Sequence, residues 1–315
     1  MEYRPYAEVT GRPHVVVDGS AQAGTDLVLS HWPGAATPAI LRADLSAEIA
    51  FKYLDHPELH VDAPYVTNNH FDQDGLVSVF ALVEPEAAQA RRERLVDIAR
   101  AGDFSTFRDR DAARAALTMA HLGNVATDDP YRAVLPRLVE VVDDVGRFRT
   151  VWADEDAHIT ETERAIETGT IGIETRPDLD LAIVTIPSAW AQRTVHQFTT
   201  TRTDAAHPMA INNAIDEYAV VTIAARAPEL QYRYETWVHL TSRRPRPRVD
   251  LADLATRLTR EDRGPGHWTF DGVTSLSPAL HLVRSAETTI TADRFIELVT
   301  DELSAAVVTW SPYDG

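Results

Sequence analysis

Residues 69–78 read NHFDQDGLVS, and the rest of the chain is interpreted outward from this stretch. Residues 63–67 before it (APYVT) read as a short strand, and residues 76–82 after it (LVSVFAL) are apolar at helical spacing. The stretch is therefore predicted to connect a strand to a helix. In open α/β sheets, ligands bind at this carboxyl end of the strands.

The stretch brings one imidazole and two carboxylates together as His70, Asp72 and Asp74. If the strand tip is extended, these alternate side chains point the same way. Their nitrogen and oxygen donors suit Mn²⁺ or Mg²⁺ better than a soft metal, and Gly75 would let the chain turn into the helix. The alternative is an ordinary turn, in which Asp74 caps the helix that starts near Leu76.

Composition limits the classes of protein that the chain can belong to. Its 315 residues are 44% hydrophobic, enough for one large domain or two ordinary ones with real cores. The net charge of −18 argues against a surface for duplex nucleic acid, although a local basic patch could still meet a small phosphorylated substrate. The chain has no cysteine, so any metal must be held by nitrogen and oxygen ligands.

No targeting or membrane segment is predicted. The first five residues, MEYRP, lack the apolar core of a signal peptide. No apolar run approaches the roughly 18 residues that cross a bilayer. We therefore expect no membrane association and a cytoplasmic location, and no oligomeric state is predicted.

Two further strands end in residues that could bind a metal. Residues 15–17 (VVV) lead directly into Asp18, and residues 27–29 (LVL) lead into Ser30 and His31. If the strands are parallel, both side chains lie at the same edge of the sheet as the His70 stretch. Taken singly, Asp18 could be a turn former and His31 a loop residue.

The order of elements predicts an α/β fold in two domains. The first has a parallel sheet with flanking helices, and the second is a smaller α/β or α+β domain. We expect domains at 1–150 and 170–315, joined by a polar helix in 151–169 that buries little. The helices expected in the first domain are 45–54, 84–101, 109–122 and 132–145. In the second, strands 170–174 and 179–186 pair, strands 218–225 and 231–240 pair, and helices cover 209–214, 251–258 and 295–307.

Two motifs resemble the DHH phosphoesterase superfamily, which includes RecJ-type nucleases, nanoRNases and cyclic dinucleotide phosphodiesterases. The pattern His70-x-Asp72-x-Asp74-Gly75-x-x-Ser78 after a strand is similar to the first motif of that superfamily. Residues 248–258 (RVDLADLATRL) followed by 264–267 (GPGH) resemble its carboxy-terminal DHH-associated domain. There a helix leads to a GGGH loop that cradles the substrate, and Pro265 replaces the middle glycine here.

The resemblance implies further metal ligands. Residues 99–103 (ARAGD) are similar to the fourth motif, which would make Asp103 a ligand. Asp18 has the position of the second motif and His31 that of the third, with Ser30 for aspartate and Trp32 for the second histidine. No Asp-His-His tripeptide occurs in the sequence. The motifs would then run second, third, first, fourth, as in a circularly rearranged domain.

By this resemblance the protein is a divalent-metal-dependent phosphoesterase acting on a small nucleotide, a cyclic or linear dinucleotide or a short oligonucleotide. It would use Mn²⁺ or Mg²⁺, with two ions. The metal ligands would be Asp18, His31, His70, Asp72, Asp74 and Asp103, and the catalytic residues Asp72, Asp74 and His31. The alternatives are a degenerate relative that binds metal or nucleotide without hydrolysis, favoured by Trp32, and an interaction protein whose acidic surface docks a partner.

Substrate recognition would need cationic and amide donors. Arg243, Arg244 and Arg246 form a basic run whose guanidinium groups suit phosphate oxygens. Gly264 and Gly266 would present backbone N–H groups, with His267 as a further donor. The alternatives are a solvated loop and an ordinary turn. The sequence has no Gly-x-Ser-x-Gly motif, P-loop or dinucleotide-binding glycine pattern, so we set aside serine hydrolases and those nucleotide-binding classes.

Overall fold

The computed structural model describes residues 1–197, 200–225, 227–305 and 307–314. The chain divides into two compact units, each built from more than one stretch of sequence. The first unit contains residues 1–157, 194–203 and 239–243. The second contains residues 158–193, 204–238 and 244 onwards.

A parallel four-stranded sheet forms the centre of the first unit. Its strands are β1 (Glu2–Tyr3), β2 (His14–Val17), β3 (Thr25–Leu29) and β4 (Tyr65–Thr67). They lie in the order β1-β4-β2-β3, and every neighbouring pair is parallel. Val15, Val16 and Val17 are all fully buried, as expected where a parallel sheet is covered on both faces.

Helices pack around this sheet. They are α1 (Ser46–Asp55), α2 (Gln73–Val83), α3 (Pro85–Gln89), α4 (Arg92–Asp103), α5 (Arg110–Asn124), α6 (Pro130–Val134) and α7 (Leu138–Asp143). The next helix, α8 (Arg149–Glu167), begins in the first unit and continues into the second from His158. Residues 73–82 of α2 are all buried, so this helix is the central one of the layer.

The second unit is built on a mixed six-stranded sheet. The strands after residue 170 are β5 (Gly172–Arg176), β6 (Leu181–Thr185), β7 (Arg193–Gln197), β8 (Thr200–Asp204), β9 (Ala219–Ile223), β10 (Glu229–Tyr232), β11 (Arg248–Val249), β12 (His267–Phe270), β13 (Ala279–Val283) and β14 (Thr309–Trp310). Nearly all of β7 and β8 belongs to the first unit. The helices are α9 (Pro208–Ala214), α10 (Ala252–Glu261) and α11 (Ala292–Ala305). The sheet order is β12-β13-β10-β9-β6-β5, while β7 pairs with β8 and β11 with β14.

Both faces of the six-stranded sheet are covered. Along β6, Leu181 and Ile183 belong to one buried cluster and Ala182 and Val184 to another, as the two-residue period of a strand requires. Leu254, Phe295 and neighbouring residues of α10 and α11 complete the first cluster.

The predicted α/β class is confirmed, including the parallel sheet, its flanking helices and a second α/β region. Most predicted elements occur within a few residues of their expected bounds. The expected helix at 84–101 is two helices, because α3 ends at Gln89 and α4 begins at Arg92. The expected strand at 231–240 is wrong, since β10 ends at Tyr232 and a 3₁₀ turn follows over Tyr234–Thr236.

The helix expected to bury little also differs from its prediction. α8 starts at Arg149 and buries one face, with Trp152, Glu155, Ile159 and Thr162 each at most 8% exposed. These positions recur at spacings of three and four residues, so the polar residues that dominate the sequence lie on the other side. Within the described ranges, no helix combines the length and the apolar character that a bilayer span requires.

Candidate metal centre

A cluster of acids and imidazoles lies at the carboxyl edge of the parallel sheet. Asp18 directly follows β2, His31 lies two residues after β3, and His70 and Asp72 lie between β4 and α2. Because the three strands are parallel, their carboxyl ends meet at one edge. The turn after β2 places Asp18 in the left-handed region (φ 44°), a conformation that aspartate tolerates.

His31 lies in the middle of three carboxylates. Its Nε2 atom is 3.5 Å from Asp18 Oδ1, 3.8 Å from Asp74 Oδ2 and 3.6 Å from Asp103 Oδ2. The side chains of all four residues are at most 1% exposed. Asp103 is the last residue of α4, so this helix delivers its carboxylate to the sheet edge.

His70 contacts the same cluster from a more open position. Its Nε2 atom is 2.7 Å from Asp72 Oδ2 and 3.3 Å from Asp18 Oδ2, and its side chain is 31% exposed. The structure therefore brings together all six predicted metal ligands, which are Asp18, His31, His70, Asp72, Asp74 and Asp103.

The sequence predicted that His70, Asp72 and Asp74 converge because they alternate along an extended strand tip, and this explanation is partly wrong. α2 begins at Gln73 rather than near Leu76, so Asp74 lies in the first helical turn and not on an extended tip. Asp72, rather than Asp74, is the N-cap residue, and its Oδ1 accepts the N–H of Gly75 at 2.8 Å. Asp74 instead points across to α1.

The amino terminus of α1 holds the Asp74 carboxylate. The N–H groups of Ser46 and Ala47 donate to Asp74 Oδ2 and Oδ1 at 2.8 and 2.7 Å. The first N–H groups of a helix lack partners within the helix and favour a negative charge. The hydroxyl of Ser46 also donates to Asp18 Oδ1 at 2.8 Å. Sequence analysis missed these roles, since only the apolar pattern of α1 was visible.

Gly75 is required by close packing inside the cluster. A methyl group on its Cα would overlap Asn68 Nδ2 and would lie 2.6 Å from the hydroxyl of Tyr131. Both side chains are buried, with 4% and 2% exposure. The glycine therefore lets α2 start directly against these polar groups, and the helix carries Asp74 into place.

The cluster changes the pKa values of its own members. Burial lowers the pKa of His31. Burial also acts to lower the pKa of His70, but the carboxylates of Asp72 and Asp18 outweigh it and raise that pKa to about 11. Burial, together with the neighbouring charges of Asp18 and Asp72, raises the pKa of Asp74 well above its usual range. Without a metal, protons therefore offset part of the negative charge.

Asp18 is shared between two groups of possible metal ligands. Asp18, His70 and Asp72 form one group, and Asp18, His31 and Asp74 form the other. Within each group the donor atoms lie within 4.8 Å of one another. Carboxylate oxygens with one imidazole nitrogen are a donor set that Mn²⁺ accepts. The residues therefore fit two cations that share one carboxylate.

Trp32 lies beside the cluster, where the resemblance would place a second histidine. Its ring stacks on His70, with ring centroids 5.1 Å apart and planes 29° from parallel. An indole has no lone pair for a metal, so Trp32 adds an aromatic wall next to the most exposed member of the cluster.

The basic run of Arg243, Arg244 and Arg246 is divided between the two units. Arg243 belongs to the first unit, while Arg244 and Arg246 belong to the second. Arg244 lies 3.8 Å from Asp314 and over the ring of Tyr313, and Arg246 donates to the carbonyl of Asp178. These exposed contacts are weak enough to exchange for a phosphate.

Arg248, at the end of the run, is fully buried. Its guanidinium group donates to Thr236 Oγ1 and to three carbonyl oxygens, those of Val273, Ser275 and Leu276. Burial lowers its pKa to about 9. This arginine therefore connects parts of its own unit and is not available to a ligand.

The glycine loop of the second unit follows α10 and leads into β12, of which His267 is the first residue. The N–H of Gly264 donates to Asp262 Oδ1 at 2.9 Å, and Asp262 also accepts from Trp268 and Thr289. A methyl group on Gly266 would lie 2.8 Å from the carbonyl oxygen of Val283. Internal packing thus accounts for both glycines, and the N–H of Gly264 already has an acceptor.

The fold and the cluster define an α/β protein with a buried acid–imidazole centre at the carboxyl edge of a parallel sheet. Residues 1–314 match the model of a family described as a family of unknown function (DUF6687), and the chain belongs to that family. Comparisons with curated proteins and with solved structures find no match. The relationship to DHH phosphoesterases therefore stays a prediction from motifs.

Proposed function

We propose that the protein is a divalent-metal-dependent phosphoesterase. Its substrate would be a small nucleotide, a cyclic or linear dinucleotide or a short oligonucleotide, and it would use Mn²⁺ or Mg²⁺ as two ions. The observation that carries the proposal is the surroundings of His31, whose Nε2 atom faces three buried carboxylates at 3.5–3.8 Å.

The tautomer of His31 explains why this arrangement favours a cation. Its Nδ1 atom lies 2.6 Å from the carbonyl oxygen of Asp44, and a carbonyl can only accept a hydrogen bond. Nδ1 therefore carries the proton, and in neutral imidazole Nε2 then presents its lone pair to the carboxylates. Lone pairs that converge in a buried site repel one another unless a cation lies between them.

Charge leads to the same interpretation. Asp18, Asp72, Asp74 and Asp103 are each at most 5% exposed and lie around two imidazoles. Buried charges of one sign are costly unless they are paired or bind metal. Four carboxylates would balance two divalent cations, with Asp18 between them.

When bound, such ions lower the pKa of a water molecule and stabilise the charge that develops on a phosphoryl group. The protein's own part is to hold the carboxylates in place, through the N–H groups of Ser46 and Ala47 for Asp74 and the hydroxyl of Ser46 for Asp18. His70 is the most exposed member, so the substrate would approach beside it and Trp32.

A second candidate is a protein that binds metal or nucleotide without hydrolysis. The stacking of Trp32 on His70 favours it, because by the resemblance to DHH enzymes this indole would stand where they have another histidine. That histidine would contribute to holding the metal and the phosphate.

The test is hydrolysis of a linear dinucleotide and of bis(p-nitrophenyl) phosphate in the presence of Mn²⁺. We expect turnover by the wild type, loss of at least 100-fold in Asp72→Ala and Asp74→Ala, and unchanged turnover in Asp128→Ala, which removes an exposed acid outside the cluster. Mn²⁺ binding without turnover would favour the second candidate. Turnover equal in the wild type and the Asp72→Ala/Asp74→Ala double variant would contradict the enzymatic proposal.

A further inference from the structure

A closed circuit of hydrogen bonds surrounds His31 on the side away from the carboxylates. The circuit passes from His31 to Asp44, then to the segment 239–243, and back to His31. All of these residues belong to the first unit, although the segment lies about 200 residues after Asp44 in the sequence.

Asp44 takes part in this circuit through both its backbone carbonyl and its carboxylate. Its backbone carbonyl accepts the Nδ1–H of His31 at 2.6 Å. Its carboxylate accepts the N–H groups of Thr241 and Ser242 at 2.6 and 2.9 Å, and also both of their hydroxyls. The residue is only 8% exposed, so these donors replace the water that an exposed carboxylate would bind.

The segment 239–243 then returns to His31. The N–H of His239 donates to the carbonyl oxygen of His31 at 2.8 Å. Asp44 therefore holds the imidazole of His31 directly. The segment 239–243, which Asp44 binds, holds the backbone carbonyl of His31. β3 ends at Leu29, so the strand ladder itself does not hold His31.

We propose that Asp44 is a positioning residue that orients His31 as a metal ligand through its carbonyl and through the docked segment 239–243. This inference rests on the proposed function, since it gives His31 a metal to bind. Partners of this kind fix the tautomer and ring angle of a ligating histidine, and their loss commonly weakens metal binding by about 10- to 100-fold.

Substitution of Asp44 should weaken the binding of one ion and not of the other. His31 belongs to the group with Asp18 and Asp74, whereas His70 and Asp72 form the other group with Asp18. Asp44→Ala removes the carboxylate that binds the segment and leaves the backbone carbonyl without its support. We expect one Mn²⁺ to bind about 10- to 100-fold more weakly and the other to bind with unchanged affinity.

The experiment titrates Mn²⁺ into metal-free full-length protein and follows binding by calorimetry. Asp156→Ala is the matched control, because Asp156 is a mostly buried carboxylate of the same unit that accepts hydrogen bonds from Arg110 and Arg114. Asp44→Asn keeps one acceptor oxygen for the two backbone N–H groups, so its Mn²⁺ affinity should fall between those of the wild type and Asp44→Ala.

A double-variant cycle separates positioning from a general loss of structure. In a His31→Ala background, Asp44→Ala should cause no further loss of Mn²⁺ affinity, because the ligand that it positions is already absent. Circular dichroism checks that each variant is folded.

The outcomes distinguish this inference from the proposed function. Three results would overturn the positioning role while the metal site stands. They are an equal loss of affinity for both ions in Asp44→Ala, a further loss of affinity when Asp44→Ala is added to His31→Ala, and unchanged Mn²⁺ binding in Asp44→Ala. A wild-type protein that takes up no Mn²⁺ would overturn both.

Discussion

At the scale of single residues, Asp18 connects the two halves of the cluster. Its Oδ1 atom lies 3.5 Å from Nε2 of His31 and its Oδ2 atom 3.3 Å from Nε2 of His70. Each oxygen therefore faces a different imidazole. A carboxylate placed in this way can bridge two ions, whereas each imidazole can serve only one.

Asp18→Asn should therefore weaken the binding of both ions, whereas His70→Ala should weaken the binding of only one. The amide removes the negative charge shared by the two groups, while loss of His70 leaves Asp18, His31 and Asp74 in place. The measurement is the Mn²⁺ content per chain after dialysis, by elemental analysis. We expect close to none in Asp18→Asn and about one ion in His70→Ala. Full occupancy in Asp18→Asn would contradict the bridging role.

Metal binding should release protons. Without metal, the carboxylates of Asp72 and Asp18 raise the pKa of His70 to about 11, so His70 holds a proton at neutral pH, and burial raises the pKa of Asp74 well above its usual range. Metal ligands must be deprotonated, so Mn²⁺ affinity should rise as the pH increases through the neutral range.

The proton count follows from calorimetry at pH 7 in two buffers that differ in ionisation enthalpy. We expect at least about one proton released per chain, from His70, and about one fewer in His70→Ala. Binding heats that do not depend on the buffer would contradict this linkage.

At the scale of elements, the site depends on where helices start. α1 begins with its N–H groups on Asp74, and α2 begins with Asp72 as its N-cap. The parallel strands bring Asp18 and His31 to the same edge. The helix termini thus supply backbone hydrogen bonds to the buried carboxylates of Asp72 and Asp74.

Gly75→Ala should destabilise the protein although alanine favours helices. The added methyl group would collide with Asn68 and Tyr131, which are buried, and such overpacking costs about 1–3 kcal/mol. Gly146→Ala is the matched control, because the nearest atom to its methyl group would be Asp144 Oδ1 at 3.6 Å. Urea unfolding measures both, and equal free energies of unfolding for the two variants would contradict the packing role of Gly75.

At the scale of the whole molecule, the proposed metal binding should stabilise the folded protein. Metal that binds the folded state alone stabilises it by about 2.7 kcal/mol per site at a concentration of 100 Kd. The chain carries a net charge of −18, so neutralising four buried carboxylates also relieves repulsion.

Saturating Mn²⁺ should therefore raise the melting temperature by roughly 5–10 °C, and a chelator should reverse the change. Differential scanning calorimetry measures the shift. Asp18→Asn should show almost no shift, because it lacks the shared ligand. A wild-type melting temperature that does not respond to Mn²⁺ would indicate that the cluster is not a metal site.

The clustering of Asp18, His31 and His70 was predictable because strand ends are visible in sequence. Short apolar runs before Asp18, His31 and His70 are typical of buried parallel strands, and parallel strands place their ends together. The roles of Ser46 and Asp44 were not predictable, since they depend on backbone groups of segments that meet only in the fold. The start of α2 was misplaced because Asp72 and Gln73 are polar, and the apolar pattern becomes regular only at Leu76.

The most direct measurement is anomalous diffraction from crystals of the protein grown with Mn²⁺. The account predicts two anomalous peaks at the carboxyl edge of the parallel sheet, one bound by His31 and Asp74, the other by His70 and Asp72, with Asp18 between them. Crystals with no peak at this edge, or with Mn²⁺ bound only elsewhere on the surface, would contradict it.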